Sequence, residues 1–93
     1  MPGRRDSRSW EAYAKELGVR LHRARVAASL SQERVAHAAG ISGFTYRKLE
    51  KGESNPGTAA NPRLQTLIAL SEVLDIDIRD LLPDWRPAIA VGR

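Results

Sequence analysis

The residues best suited to chemistry lie together in one short stretch, GFTYRK. Arg47 and Lys48 are cations that can donate hydrogen bonds to guanine O6 and N7, and Phe44 can contact a thymine methyl group. Phe44 precedes Tyr46 by two residues, which separates their side chains by about 200° around a helix. Because Tyr46 falls on an apolar stripe with Leu49, we predict that Phe44 points outward rather than into the core. Side chains of these types could contact the edges of DNA bases if the helix that carries them lies in a major groove.

The sequence lacks the groups of side chains that an enzyme would need. It contains no cysteine, and His22 and His37 have neither the His-x-x-x-His spacing of a metal site nor paired carboxylates nearby. The acidic stretch from Asp75 to Asp80 lacks the glycine and the closing glutamate of a calcium loop, and helix capping explains it better. No serine has the G-x-S-x-G setting of a hydrolase nucleophile. We therefore predict a protein that is not an enzyme and needs no metal ion or other cofactor.

Two short helices joined by a tight turn are predicted between Ser31 and Glu50. Ser31 and Ser42 are good N-caps, because a serine hydroxyl can accept a backbone N–H that the first turn leaves unpaired. Gly40 and Gly52 follow the two apolar faces, where a helix often ends in a left-handed residue that glycine adopts without a clash. Since the second helix begins two or three residues after the first ends, the pair must cross steeply. This is the geometry of a helix-turn-helix.

A longer helix is predicted before this unit. Ser9 can cap it, and it runs to about Ala28. Gly18 interrupts the pattern, because glycine is a poor helix former. The apolar stripe has helical spacing and consists of Trp10, Tyr13, Leu17, Leu21 and Ala24.

Two more helices are predicted after a polar loop that is rich in Gly, Pro, Asn and Ser. Asn61 would cap the fourth helix, with Pro62 at its first position, where the missing N–H costs nothing. Asp77 would cap a short fifth helix, and Pro83 would stop it. The inner face of the fourth helix is predicted to comprise Leu64, Leu67, Ile68, Ser71 and Leu74, flanked by Leu70 and Val73.

Composition narrows the class of protein. The chain has 93 residues, enough for one domain, and no apolar run approaches the ~20 residues of a membrane span. Its start lacks the apolar segment of a signal peptide, so we expect a cytoplasmic protein. The net charge of +4 is uneven: residues 1–52 hold eleven Lys and Arg against five Asp and Glu, whereas residues 53–93 hold four against six. A basic helix-turn-helix half suits a polyanionic partner, although an accidental gradient is the alternative.

The two ends of the chain differ in character. Residues 1–8 predict a flexible basic arm, which either frays or touches DNA. Residues 9–83 form the predicted domain, with the helix-turn-helix at 31–51. Residues 84–93 are too apolar for a random terminus and would either pack onto the fourth and fifth helices or form a dimer contact. The residues predicted for such a contact are Leu82, Trp85, Ile89 and Val91.

The segment resembles the DNA-binding domain of the phage λ repressor and Cro family, also called XRE-type regulators. The matching residues are Gln32, Ala36, Gly40 and the pair Leu49-Glu50, with similar flanking segments LGVRLHRAR and LQTLIALSEVLDI. The resemblance covers residues 17–82 and implies an all-α, compact five-helix fold. Relative to the family, residues 9–16 are either an extension of the first helix or a separate turn, and residues 57–62 look like an insertion in the loop. It also implies an ion pair between Arg25 and Glu50 that ties the first helix to the recognition helix.

Family positions suggest which side chains meet DNA. Gly43, Phe44 and Lys48 occupy places where relatives read bases, and Arg47 lies next to them. Many relatives carry glutamine or serine there, so the bases that this chain reads are not implied. The family also uses the glutamine matching Gln32 to hold the DNA backbone. The predicted backbone contacts are Gln32, Ser42, Thr45, Tyr46, Lys51 and Asn55.

The function implied is that of a transcriptional regulator, a repressor, that binds double-stranded DNA in a sequence-specific manner. It would act as a homodimer on a two-fold symmetric operator, because two half-sites multiply the affinity of one small module. The alternative is an antitoxin, in which the apolar tail binds a toxin and DNA binding regulates the operon.

Overall fold

Five helices and one short hairpin make up residues 9–91, the part of the chain that the computed structural model describes. None of these helices is both long and apolar enough to cross a bilayer. The predicted all-α fold is confirmed, and the described residues add a two-stranded hairpin to it. In chain order the elements are α1 (Trp10–Ala27), α2 (Gln32–Ala39), α3 (Gly43–Glu50), β1 (Glu53–Asn55), β2 (Thr58–Ala59), α4 (Leu64–Leu74) and α5 (Ile78–Leu81).

Side-chain caps begin four of the helices as predicted. The hydroxyls of Ser9, Ser31 and Ser42 each accept a backbone N–H three residues later, at 3.2, 3.0 and 3.0 Å. Asp77 accepts the N–H of Arg79 at 2.8 Å and starts α5. These bonds satisfy donors that the first helical turn leaves unpaired.

The ends of α2 and α3 also follow the prediction. Gly40 ends α2 in the left-handed conformation, with φ of 76°, and Gly52 lies just beyond α3 with the same φ. Backbone N–H groups at both exits return to carbonyls of the preceding turn, Gly40 to His37 at 3.1 Å and Gly52 to Leu49 at 2.9 Å. The turn between α2 and α3 is thereby fixed by backbone geometry that residues with a Cβ rarely adopt.

The α1 helix passes through Gly18 without a break, so residues 10–16 extend the helix rather than forming a separate turn. Gly18 is buried against the end of α3. A Cβ built there would lie 2.5 Å from the carbonyl oxygen of Glu50 and 2.6 Å from that of Leu49. The glycine therefore serves the close approach of α1 and α3.

The polar loop after α3 is more ordered than the sequence suggests. β1 and β2 pair antiparallel, so the predicted insertion at residues 57–62 supplies one strand of a hairpin. Ala60 is then held in place, since its N–H donates to Gly52 O at 2.8 Å and its carbonyl accepts the Trp10 indole N–H at 2.9 Å. The prediction that Asn61 caps α4 was wrong: the N-cap position belongs to Arg63, whose side chain makes no capping bond.

The buried face of α4 is rotated from the predicted one. Leu70, Ser71 and Leu74 are buried, whereas Leu64 and Ile68 are 66% and 46% exposed. The helix is apolar around most of its circumference, so periodicity alone could not select the inner side. The buried apolar core comprises Ala14, Leu17, Leu21, Val35, Ala36, Tyr46, Leu49, Ala60, Leu70, Leu74 and Leu81.

The C-terminal tail packs partly onto its own chain. Trp85 is buried, its ring meets the edge of Tyr13 at a centroid distance of 5.2 Å, and its indole N–H donates to Glu16 at 3.0 Å. Both of these partners lie on α1, so the tail packs within its own chain at Trp85, as the packing alternative supposed in general. Ile89 and Val91 remain exposed, and Leu82 is partly buried against the core. The predicted arm at residues 1–8 lies outside the described residues.

Candidate nucleic-acid interface

The exposed face of α3 presents the cations and the phenyl group predicted from the sequence. Phe44 is 63% exposed, which agrees with the outward orientation expected from its offset from Tyr46. The Lys48 ammonium lies 4.3 Å from the centre of the Phe44 ring. A cation over an aromatic face is attracted to it, so these two residues, one helical turn apart, form a paired polar and apolar surface. Arg47 is exposed beside them.

The N-terminus of α3 is organised by two hydroxyl groups. The Ser42 hydroxyl accepts the N–H of Thr45 at 3.0 Å and donates to the Thr45 hydroxyl at 2.9 Å. Both residues are exposed. A DNA phosphate could contact these hydroxyls in two ways. Either the bonds between Ser42 and Thr45 are kept, or a bond to the phosphate replaces one of them.

The structure corrects one predicted backbone contact. Tyr46 is fully buried, and its hydroxyl lies inside the protein beside Glu50, without a well-formed hydrogen bond among the described residues. Burial, together with the nearby Glu50 carboxylate, raises the pKa of this phenol. The prediction that its hydroxyl reaches the surface or a phosphate was wrong, because the large ring takes a core position and carries the oxygen inward with it.

A buried ion pair joins α1 to the end of α3. Arg25 Nε donates to Glu50 Oε2 at 2.6 Å, and a second guanidinium nitrogen donates to Oε1 at 3.3 Å. The side chains are only 14% and 6% exposed. Arg25 also donates to the carbonyl of Leu30 in the turn before α2, at 2.9 Å. The predicted pair is therefore present, and its bidentate geometry fixes orientation as well as distance.

Two more side chains join this pair. Gln32 Nε2 donates to Glu50 Oε1 at 2.9 Å, and His22 Nδ1 lies 3.1 Å from the same oxygen. The Gln32 side chain is thus held by the last residue of the recognition helix. The role of His22 was not predicted, although its position three residues before Arg25 places it on the same face of α1.

The ionisation of Glu50 reflects this environment. Burial opposes its charge, but hydrogen bonds from Arg25 and from its other polar neighbours outweigh that effect and lower its pKa from 4.5 to about 2. Glu50 stands at the end of a helix, where the helix dipole disfavours a negative charge. These hydrogen-bond donors therefore keep Glu50 ionised. The same bonds hold the end of α3 against α1 and α2.

Glu33 is a second residue at this interface that the sequence did not indicate. Its Oε1 lies 3.6 Å from Arg47 Nη1, and its carboxylate covers the Cα of Gly43. Glu33 is on α2, so the contact crosses the helix-turn-helix and reaches the first turn of α3. Only the three-dimensional crossing of the two helices brings these residues together.

The remaining predicted contacts lie beyond the C-terminal end of α3. Lys51 and Asn55 are both exposed, the first at the C-cap of α3 and the second at the end of β1. Beside them an open groove of about 450 Å³ separates α3 from the start of α4. Its polar lining includes Thr45, Lys48, Ser54, Asn61, Arg63 and Thr66. Arg63 was not predicted as part of this face, because the sequence placed the start of α4 two residues too early.

Comparison with known proteins agrees with this architecture. A family model described as a helix-turn-helix domain matches residues 16–85. The restriction-modification controller protein C.AhdI from Aeromonas hydrophila is 31% identical and has a TM-score of 0.67; the match covers 76% of this chain and 98% of that chain. A search of curated proteins finds no match.

A second solved structure shares the fold. The SOS-response transcriptional repressor LexA from Eubacterium rectale is 22% identical, with a TM-score of 0.64 over 94% of this chain and 83% of that chain. At this identity the likeness concerns the fold alone. The family model, in contrast, extends from the middle of α1 through the recognition helix to Trp85. The chain therefore belongs to the helix-turn-helix domain family, of the λ repressor and Cro-like type that its sequence resembles.

Proposed function

We propose that this protein is a sequence-specific DNA-binding transcriptional regulator that acts as a homodimer on a two-fold symmetric operator and represses transcription. The observation that carries the proposal is the exposed face of α3, where Phe44, Arg47 and Lys48 stand on a helix locked to the core through Glu50. The major groove admits an α-helix, and cations can recognise guanine there. The protein would lie in the cytoplasm, where it would bind DNA.

The polar groups around α3 would position the domain without reading sequence. One hydrogen of the Gln32 amide is used by Glu50, which leaves its second N–H to donate to a phosphate. The first turn of α2 adds backbone N–H groups suited to an anion. Lys51, Asn55 and Arg63 extend this polar surface past the end of α3. Contacts of this kind fix register on the duplex, whereas the side chains of α3 select the sequence.

Selection of binding sites from a random duplex library tests the proposal directly. We expect an enriched two-fold symmetric motif with half-sites about one helical turn apart, ~34 Å. Enrichment without a motif, together with affinity that collapses steeply as salt increases, would mean that only the DNA backbone is bound. That result would exclude a sequence-specific regulator.

Gln32→Ala is expected to weaken binding to all sequences alike, by about tenfold, which corresponds to one hydrogen bond to a charged group. The selected motif should stay the same. Fluorescence anisotropy with the selected site and with an unrelated duplex measures both affinities. Gln65→Ala, the same change at an exposed position on α4, is the matched control and should leave both unchanged. A changed base preference in Gln32→Ala would contradict its assignment to the backbone.

Phe44→Ala and Lys48→Ala are expected to alter the preferred base at adjacent positions of the half-site, each by about 1–3 kcal/mol. Because the ammonium rests on the ring, the loss of Phe44 should also disturb the position that Lys48 reads. Repeating the selection with each variant measures the change. Val26→Ala, which also removes an exposed apolar side chain but on α1, should leave the motif intact. A uniform loss of affinity in Lys48→Ala, with a salt slope lower by about one, would instead place Lys48 on a phosphate.

The antitoxin alternative depends on the tail, and the largest apolar side chain of the tail is used within the chain itself. Trp85, its largest residue, is buried against Tyr13 and hydrogen-bonded to Glu16. Ile89 and Val91 are the large apolar residues that remain exposed in the described tail, beside the exposed Ala88 and Ala90, and they are available to a second copy of the chain. Deleting residues 87–93, which spares Trp85, distinguishes the two functions, since a regulator would lose dimerisation, whereas an antitoxin would lose a protein partner and keep affinity for DNA.

A further inference from the structure

The carboxylate of Glu33 contacts the recognition helix at two places. One oxygen, Oε1, lies 3.6 Å from Nη1 of Arg47. The rest of the carboxylate lies against the Cα of Gly43, one turn earlier on the same helix. A single side chain of α2 thus connects the first residue of α3 to the arginine on its exposed face.

The position of the carboxylate depends on the absence of a side chain at residue 43. A Cβ built on Gly43 would lie 2.8 Å from Cδ of Glu33 and closer still to Oε2. Any other residue there would push the carboxylate away. Gly43 has a negative φ and opens α3 with ordinary helical geometry, so its backbone conformation does not require glycine. The space above it is what the carboxylate uses.

The contact between Glu33 and Arg47 affects the orientation of the Arg47 side chain more than the stability of the folded protein. The side chains of Glu33 and Arg47 are 72% and 46% exposed, and an ion pair with this exposure contributes little to folding. It does restrict a long, flexible side chain. A guanidinium has five N–H donors in a rigid plane, so one part of it can face Glu33 while another edge stays free for the O6 and N7 atoms of guanine.

We propose that Glu33, Gly43 and Arg47 form one specificity-determining unit, in which Glu33 holds Arg47 in position to read a guanine and Gly43 makes room for the carboxylate. Glu33 is a positioning residue here, and Arg47 makes the base contact. The proposal rests on the function proposed above and specifies one base that the recognition helix selects.

The test uses the full chain and a panel of four variants: Arg47→Ala, Glu33→Gln, Gly43→Ala and the double variant Glu33→Gln/Arg47→Ala. Affinities are measured for the selected site and for the same site changed at each position in turn. Glu72→Gln serves as the control, because it makes the same change of charge at an exposed position on α4. Thermal unfolding of each variant verifies that it is folded.

We expect one position of the half-site at which wild type prefers guanine about tenfold or more and Arg47→Ala has no preference. At that position Glu33→Gln and Gly43→Ala should each lower the preference by about threefold or more. Glu33→Gln should also bind every duplex somewhat more tightly, because it removes a negative charge that faces DNA. In the double variant, removal of Glu33 should have no further effect on the preference, since the two residues act through one contact.

Three results would each overturn the inference while leaving the proposed function intact. If Glu33→Gln changes the preference at a different position from Arg47→Ala, or if the two effects add, Glu33 does not act through Arg47. If Gly43→Ala keeps the guanine preference, the space above Gly43 is irrelevant to it. A wild-type protein without any sequence preference would instead refute the proposed function itself, before any variant is compared.

Discussion

Replacing Gly18 with alanine is expected to destabilise the folded protein by about 2–3 kcal/mol, although alanine is the better helix former. In an open helix this substitution would stabilise by about 0.8–1.0 kcal/mol. Here the added Cβ would lie 2.5 and 2.6 Å from the carbonyl oxygens of Glu50 and Leu49. Those atoms are backbone, so they can yield only if α1 and α3 move apart. The cost of overpacking a close contact of this kind exceeds the gain in helix propensity.

Gly43→Ala is the matched control for this prediction. It makes the same substitution in a helix, but the nearest atoms are the carboxylate of Glu33, at the end of a flexible and exposed side chain. We expect Gly43→Ala to leave the free energy of unfolding unchanged or to raise it slightly. Urea denaturation of both variants measures the difference, and Gly18→Ala should also unfold about 8 °C or more below wild type. Equal stabilities would mean that the contact between α1 and α3 has room to relax.

The helix-turn-helix could be predicted from sequence because its signals are local. A serine before a helix and a glycine after it act through their own backbone neighbours, and Ser31, Gly40, Ser42 and Gly52 took the predicted conformations. The outward direction of Phe44 followed from its angular offset to Tyr46 in the same helix. The pair of Arg25 and Glu50 was expected through the family resemblance, since no local rule connects residues 25 apart.

The features that could not be predicted depend on how elements pack. Gly18 was interpreted as a residue of low helix propensity that interrupts α1, because the sequence does not show that the end of α3 crosses α1 at that residue. The inner face of α4 was misplaced for a related reason: with apolar residues on most sides, the helix orientation is set by its neighbours. The Tyr46 ring was expected in the core with its hydroxyl at the DNA backbone, but the whole side chain is buried. Glu33 meets Arg47 only because α2 and α3 cross.

Glu50→Ala is expected to destabilise the protein by about 3 kcal/mol, the usual cost of removing one partner of a buried ion pair. The substitution leaves the Arg25 guanidinium, 14% exposed, without its carboxylate, and also removes the acceptor of Gln32. Thermal unfolding should therefore occur more than about 10 °C lower. Glu72→Ala, at an exposed position on α4, should change stability by less than about 0.5 kcal/mol. An unchanged melting temperature in Glu50→Ala would mean that the pair contributes nothing net.

The same carboxylate predicts how stability depends on pH. The pKa of Glu50 is lowered from 4.5 to about 2 in the folded protein, so its contribution is complete above about pH 4.5 and is lost progressively as the pH falls towards 2. Glu50→Gln keeps the shape but never carries the charge. The stability difference between wild type and Glu50→Gln should therefore be constant near neutral pH and shrink below about pH 4.5.

The stability difference is more informative than either curve alone. The neighbouring Arg79 also lowers the pKa of Asp77 to about 2, but Asp77 is present in both proteins, so its contribution cancels. A difference that stays constant down to pH 2 would mean that the charge of Glu50 is not what binds α3 to α1.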